Sequence, residues 1–536
     1  MLELATLPVL IVDCQATLAA PRGHLLELGW AIGSGDPRAR LVRLPPGERV
    51  PRAVARITGI TDALLADARA ADEAWRALLA DGESIDVRPI PAVAHFARFE
   101  RPFLERLGGP VLDLVCTHEI AQRLFPDLPR RSLRALAGYF GHAVGTMRRS
   151  TEHVVSTAFV WRSLIALLAE RGVLTWPELA AWLAEPVSRA PRAKRGWPMP
   201  RDVRLAAPDR PGLYRMLRTN GDVLYVGKAA SLKKRVNSYF RKQKGIHERT
   251  LEMLSQARGL SFEIAESPLE AALLEPDEIK RHRPPYNEAL TIGDRAVWFA
   301  SADLGERSPQ PSARCSVGPF PSPMLLERFD ALVQGSPSAV APARWAPDER
   351  SFGEGVAALS AKHRELRGGL ARRPFLTLGA RLWREGRRLR EDEGDDAHGG
   401  DAGPLFARTW TPAQIVSELE WLALQCAHAV RRARWLTALV ESCIVFEEPG
   451  AEGPRLLVVS QGEIVRRASA SENVPIPERG TRAERQAIFS IATFDRLRVL
   501  LTELKRLVAA RHPVTLRLAT RAVLGGDRLE HALAWI

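Results

Sequence analysis

The sequence predicts an α/β chain in three units. These are an N-terminal α/β domain over 1–185, a small α+β unit over 205–290 and an α+β C-terminal region over 291–536. A basic, proline-rich linker at 186–204 separates the first two. Three observations predict this. The chain has 536 residues, which is length for about three or four domains. Short apolar runs come first and then alternate with helical spacing as far as Glu185, the pattern of an α/β domain. Asn220-Gly221 then falls between two apolar runs just beyond a cluster of prolines, a hairpin signal that opens a separate unit. With 46% hydrophobic and 26% charged residues, the composition is ordinary for a globular protein and excludes a disordered or fibrous chain.

The elements follow in order. LPVLIVD (7–13) and LLELGWAI (25–32) read as buried strands, and 41–44 as a third. Helical spacing covers 61–80. IPAVAH (90–95) is a strand that runs into a helix through Phe103 and Leu107. A strand at 111–115 leads to a helix through Leu124, and 131–141 and 151–170 are helical. Pro186, Pro191, Pro198 and Pro200 mark the linker. GLYRMLR (212–218) and VLYVGK (223–228) flank the turn, and Ser231 is placed to cap a basic helix. A strand at 260–265 and a helix from Pro268 to Arg281 complete the small unit. Beyond 300 the reading is a hairpin at 300–322, a helical region at 323–370 and an acidic, glycine-rich loop at 388–403. An amphipathic helix at 411–438 follows, then a meander at 442–468, helix at 481–510 and a last strand at 513–519.

The net charge of +13 has one source: residues 188–250 hold 17 Lys/Arg against 4 Asp/Glu. Such a local field attracts polyanions, and phosphate backbones are the commonest of these. Five widely spaced cysteines give neither a disulfide framework nor zinc spacing, which fits a reducing compartment. No run of about 18 uncharged apolar residues occurs, and a signal-peptide pattern is missing, so no membrane span and a cytoplasmic location are expected.

Two groups of residues carry chemistry. The first is Asp13 at the end of a strand, Glu27-Leu28-Gly29, Ile57-Thr58-Gly59-Ile60-Thr61-Asp62, His95 with Glu100, Leu124-Phe125-Pro126 and Ser132-Leu133. In this order they resemble the DEDDh 3′→5′ exonucleases, such as the proofreading (epsilon) component of the bacterial replicative polymerase. The resemblance covers about residues 7–170 and implies an RNase H-like fold. It also implies four carboxylates around two metals and a histidine acting on water. Here Gln15 stands for one carboxylate, Glu100 for an Asp, and Arg148 and His153 for the closing His and Asp. Asp13 and Glu100 remain as metal ligands of a degenerate site, and two formal charges are few for hard Mg²⁺.

The second group is Pro211-Gly212-Leu213-Tyr214, Tyr225-Val226-Gly227-Lys228, Arg235 with Tyr239, Glu270 to Glu275, and Arg283 through Tyr286-Asn287. Taken singly, each has a plainer role: sheet aromatic, solvated base, helix carboxylate or cap. Five blocks in order over about 80 residues resemble the GIY-YIG endonuclease domain of the UvrC excinucleases and their Cho-type relatives. The resemblance implies that Glu275 holds one Mg²⁺ or Mn²⁺ and that Tyr225 is the general base on water. Tyr214 and Tyr239 support it, and Lys228 assists because a neutral tyrosine is a weak base. Arg235 suits a phosphate, and Asn287 fixes the ends of the domain or the metal's water shell. Lys233, Lys234, Arg241, Lys242 and Lys244 are the expected DNA contacts. Tyr214 and Tyr225 are expected at equivalent places on paired strands, Gly227 where backbone or DNA approaches, and Pro276 as a kink beside Glu275. Trp197 is a candidate to stack on a base, and His428, Arg431 and Arg432 to touch DNA.

The function this implies is a metal-dependent DNA endonuclease that nicks one strand in DNA repair. Its partners would be DNA and other repair proteins, with no small-molecule cofactor. Two alternatives stand beside it: a bifunctional nuclease with a working 3′→5′ exonuclease, and a non-catalytic DNA-binding scaffold.

Overall fold

The N-terminal apolar runs form one sheet because only a sheet buries them on both faces. The computed structural model describes residues 3–108, 111–142, 145, 147–186, 196–241, 245–287, 296–340, 346–387, 410–448, 453–469, 480–518 and 522–534. Its first sheet comprises β1 (Leu10–Ala16), β2 (Leu25–Ile32), β3 (Arg38–Leu41), β4 (Ile90–Ala94) and β5 (Leu112–Cys116), in the order β3-β2-β1-β4-β5. β1 is central, antiparallel to β2 and parallel to β4. Alternation sends Leu10 and Val12 to one core with Trp30, Leu78 and Phe103, and Ile11 to the other with Val93, Trp161 and Leu164. The helix Ser150–Ala169 is long and apolar enough to cross a membrane. Its Val154, Val160, Trp161, Leu164 and Leu168 are instead buried in this second core.

The small unit is an antiparallel sheet of β6 (Gly212–Leu217), β7 (Val223–Ala229) and β8 (Gly259–Ile264), ordered β7-β6-β8. Gly221 supplies the left-handed φ of 87° that its hairpin turn needs. Ser231 Oγ accepts from Lys234 N at 3.2 Å, which starts the helix Leu232–Arg241. The helix Pro268–His282 starts at Ser267, which accepts from Glu270 N, and has Pro268 in its first turn. Pro276 does not end it. The helix runs on to His282 with Pro276 buried, and it closes at Arg283 with φ of 45°.

The C-terminal region opens with a sheet of β9 (Trp298–Ala300), β10 (Arg307–Ser308) and β11 (Val317–Phe320), ordered β10-β9-β11, where a two-stranded hairpin is expected. The helical region after 323 is broken into Met324–Val333, Glu349–Lys362 and Arg372–Arg384, which pack with the long helix Pro412–Leu439. The last sheet holds β12 (Ser442–Phe446), β13 (Arg455–Ser460), β14 (Glu463–Ser469), β15 (Val514–Leu518) and β16 (Ala522–Gly525), ordered β14-β13-β12-β15-β16. The expected helix at 481–510 is two helices, Arg482–Ala487 and Ile491–Ala509, because Ser490 caps a new start by accepting from Thr493 N. The acidic loop at 388–403 and linker residues 187–195 lie outside the described residues. All five cysteines are free and buried.

The units pack on one another. Arg130 N donates to Ser255 Oγ (2.9 Å) and Ser132 Oγ donates to Glu252 (2.7 Å), joining the N-terminal domain to the small unit. Leu269 and Leu273 of the helix Pro268–His282 are buried among Phe446, Phe494, Leu497 and Leu501 of the C-terminal region.

Candidate active site

Strand register builds the tyrosine cluster. Tyr214 on β6 pairs with Gly227, and Tyr225 on β7 pairs with Met216, so the two tyrosines are diagonal neighbours on one face, not partners at one level. Their rings lie 6.0 Å apart. Gly227 makes room for them: a Cβ there would sit 2.5 Å from Tyr214 Oη and 2.8 Å from Tyr225 Cε1. The glycine therefore admits side chains of its own sheet. Tyr239 comes in from the basic helix, and its hydroxyl hydrogen-bonds that of Tyr214 at 2.8 Å. Burial raises both the Tyr214 and the Tyr225 hydroxyl, with neighbouring tyrosines adding to it, so both are neutral phenols near pH 7. Arg235 is exposed, with its guanidinium 5.2 Å from the Tyr239 ring centre.

Glu275 approaches this cluster from the neighbouring helix. Its carboxylate lies 3.8 Å from Lys228 Nζ, two residues along β7 from Val226. Burial raises the Glu275 carboxyl above its usual range, against the pull of Lys228. Lys228 Nζ also donates to Glu503 Oε1 at 3.0 Å, across 275 residues of sequence. No periodicity or motif links those two positions, so sequence reasoning could not find Glu503.

Asn287 lies along the outer edge of β7, the edge strand of the small sheet. It is buried, accepts from Val226 N at 2.9 Å and donates to Val226 O at 2.8 Å. It thus ties the end of the small unit to the strand between Tyr225 and Gly227. Lys233, Lys234 and Arg241 are exposed on the helix Leu232–Arg241, while Lys242 and Lys244 lie outside the described residues. Trp197 is half-buried and packs edge-on against Phe240 at 5.5 Å, at the core of the unit. His428 packs against Trp383, and Arg431 and Arg432 are half-buried.

Asp13 and Glu27 of the N-terminal domain are each engaged by basic and polar groups. Asp13 holds His153 Nδ1 at 3.1 Å and accepts from the Gln15 amide at 3.1 Å. Glu27 takes Arg149 Nε at 3.0 Å and Ser150 N at 2.9 Å. Arg149, rather than Arg148, is therefore the cation set against this group. Glu152 caps its helix, accepting from the backbone of Arg148 and Arg149. Glu100 is buried with Oε2 lacking a hydrogen bond, and burial followed by the nearby Asp13 raises its carboxyl well above the usual range. Burial also lowers His95 to about 3, so its ring is neutral. Gly29 lets the helix approach, since a Cβ would sit 2.4 Å from that of Ser150. Among the described residues, no group of three or more His, Cys, Asp or Glu side chains could hold a metal ion. A cation at Glu275 would have one carboxylate, with phosphate oxygens and waters completing its shell, as Mg²⁺ accepts.

Residues 210–288 match the UvrC-like GIY-YIG domain family. A Mycobacterium tuberculosis protein named as a bifunctional exonuclease/endonuclease is 31% identical over 267 residues, 48% of this chain and 39% of that protein. The UvrABC system protein C of Psychrobacter arcticus is 43% identical over 135 residues, 24% of this chain and 22% of that protein. The chain therefore spans well under half the length of both relatives. The crystal structure of the GIY-YIG N-terminal endonuclease domain of UvrC from Thermotoga maritima, bound to magnesium, is 34% identical. It covers 16% of this chain and 93% of that one, with a TM-score of 0.15. Residues 210–288 are thus a GIY-YIG domain of the UvrC type.

Proposed function

We propose that this chain is a metal-dependent DNA endonuclease that nicks one strand during DNA repair. The support is that Tyr214 and Tyr239 hydrogen-bond, that the Tyr225 ring lies 6.0 Å from that of Tyr214, and that Glu275 lies 3.8 Å from Lys228 on the strand that carries Tyr225. Glu275 would hold Mg²⁺ or Mn²⁺, which when bound polarises the phosphoryl oxygens as a Lewis acid. The protein's own residues do the rest. Lys228 brings a positive charge to where negative charge develops. Arg235, exposed at the cluster's edge, presents its fork to a phosphate. The Tyr225 hydroxyl, held neutral, orients the attacking water as a hydrogen-bond acceptor, and Tyr214 and Tyr239 fix its position. Asn287 keeps the Tyr225 strand in place. Lys233, Lys234 and Arg241 track the DNA backbone, beside the basic linker.

The N-terminal unit is read as an RNase H-like exonuclease domain that has lost its two-metal centre and serves as a scaffold or strand-binding surface. Support comes from Asp13 and Glu27, whose charges are met by His153 and Arg149. Supercoiled plasmid with Mg²⁺ or Mn²⁺ tests the main reading. Nicked circle is expected from the wild-type chain and none from Glu275→Gln. Binding without nicking by the wild type would favour the scaffold alternative. Removal of terminal nucleotides by Glu275→Gln with Tyr225→Phe would favour the bifunctional one. Lys233→Ala with Lys234→Ala should lower the slope of log affinity against log salt by about 1 per lysine, independent of sequence.

A further inference from the structure

Lys228 stands between two carboxylates of different origin. Glu275 belongs to its own domain, and Glu503 to the C-terminal helix Ile491–Ala509. The ammonium is in hydrogen-bond contact with Glu503 at 3.0 Å and in a looser ion pair with Glu275 at 3.8 Å. Glu503 is itself fixed. Its side chain is 9% exposed, and its other oxygen accepts from Arg506 Nε at 2.6 Å. Arg506 also pairs with Glu448, and Glu448 accepts from Leu269 N at 3.1 Å, in the first turn of the helix that carries Glu275. Lys280 to Asp495 (3.2 Å) and Arg496 to Asp277 (3.4 Å) join the same two helices further along. The C-terminal region therefore grips the Glu275 helix at its start and along its length. It also places one carboxylate on the lysine at the site.

We propose that Glu503 is a positioning residue of the nicking site: it holds the Lys228 ammonium away from Glu275 and so leaves that carboxylate open to a divalent cation. The proposal rests on the metal role given to Glu275 above. Its physical basis is competition. A lysine beside the single available carboxylate closes on it unless a better-placed anion holds it, and a closed pair occupies the oxygens a cation needs.

Calorimetric titration of the metal-free full chain with Mn²⁺ tests this. Glu503→Gln should weaken Mn²⁺ binding about tenfold or more, the usual cost of losing a partner behind a metal ligand. In a Lys228→Met background the same Glu503→Gln change should leave Mn²⁺ binding within about twofold. Wild-type affinity in Glu503→Gln would overturn the proposal. So would a persistent tenfold loss in the Lys228→Met background, which would make Glu503 a direct ligand. If Glu275→Gln also binds Mn²⁺ like the wild type, the metal site itself is misplaced. If only Glu275→Gln loses binding, this inference alone fails. The unmutated chain offers a check that needs no folded variant. Carbodiimide cross-linking followed by mass spectrometry should join Lys228 to Glu503, and a dominant Lys228–Glu275 product would overturn the proposal.

Discussion

Gly227 shows how one missing methyl group shapes the site. Tyr214 and Tyr225 share a face only because nothing projects from the strand between them. Gly227→Ala should push both rings aside and cost about 1–3 kcal/mol of stability by overpacking. Nicking should fall about 100-fold, as expected for reacting groups displaced by about 1 Å, while DNA affinity stays the same. Plasmid nicking and filter binding on the same preparation check both halves. The sequence placed Gly227 where a close approach occurs, and the two tyrosines on one face. It could not say what approaches, because register decides that. The pairing of Tyr214 with Gly227 is set by the whole sheet, including β8.

Among the elements, the helix Pro412–Leu439 carries a buried carboxylate that stabilises the C-terminal bundle. Glu420 meets His363 Nε2 at 2.6 Å, Lys362 Nζ at 2.8 Å and Arg387. Burial raises its carboxyl, but these three donors outweigh burial and leave it below the usual range. A carboxylate depressed in the folded state stabilises above its unfolded value, about 4.3. That stabilisation is lost as pH falls through the folded value. Glu420→Gln should therefore cost about 3–5 kcal/mol at pH 7, as breaking a buried ion pair does. The gap between variant and wild type should start to narrow below about pH 4.3 and shrink as pH falls towards the folded value. Thermal melts of both chains at pH 7 and pH 3.5 measure it. The helix itself was legible as a periodic pattern over 411–438. The cluster was not, because its members lie on or just past the ends of three helices that only packing brings together.

In the molecule as a whole, the small unit is wedged between two others. Leu273 belongs to the Glu275 helix yet is buried in the core of the C-terminal sheet. Leu273→Ala should cost about 2–5 kcal/mol. It should also raise hydrogen exchange in both Pro268–His282 and Ile491–Ala509, since one contact surface stabilises both helices. Exchange confined to the first helix would show that the units unfold separately. The N-terminal domain binds the small unit through Ser132 and Arg130, in the segment where the sequence showed only a motif Ser and a helix start.

What is local was readable from the order of residues. Apolar periodicity marked four strands of the first sheet and those of the second, though the third strand, read at 41–44, lies at Arg38–Leu41; the Asn-Gly turn marked the hairpin, and ordered short motifs marked the GIY-YIG segment with its tyrosines, Lys228 and Glu275. The same motifs showed that Gln15 and Arg148 break the exonuclease pattern. What is distant came only with packing: that Arg149 rather than Arg148 neutralises Glu27, that Asn287 serves as a backbone tether, and that Glu503 reaches Lys228. The reason is physical. Periodicity and turn chemistry act between near neighbours in the chain, whereas a salt bridge across 275 residues exists only once the packing of Leu269 and Leu273 has brought two helices together.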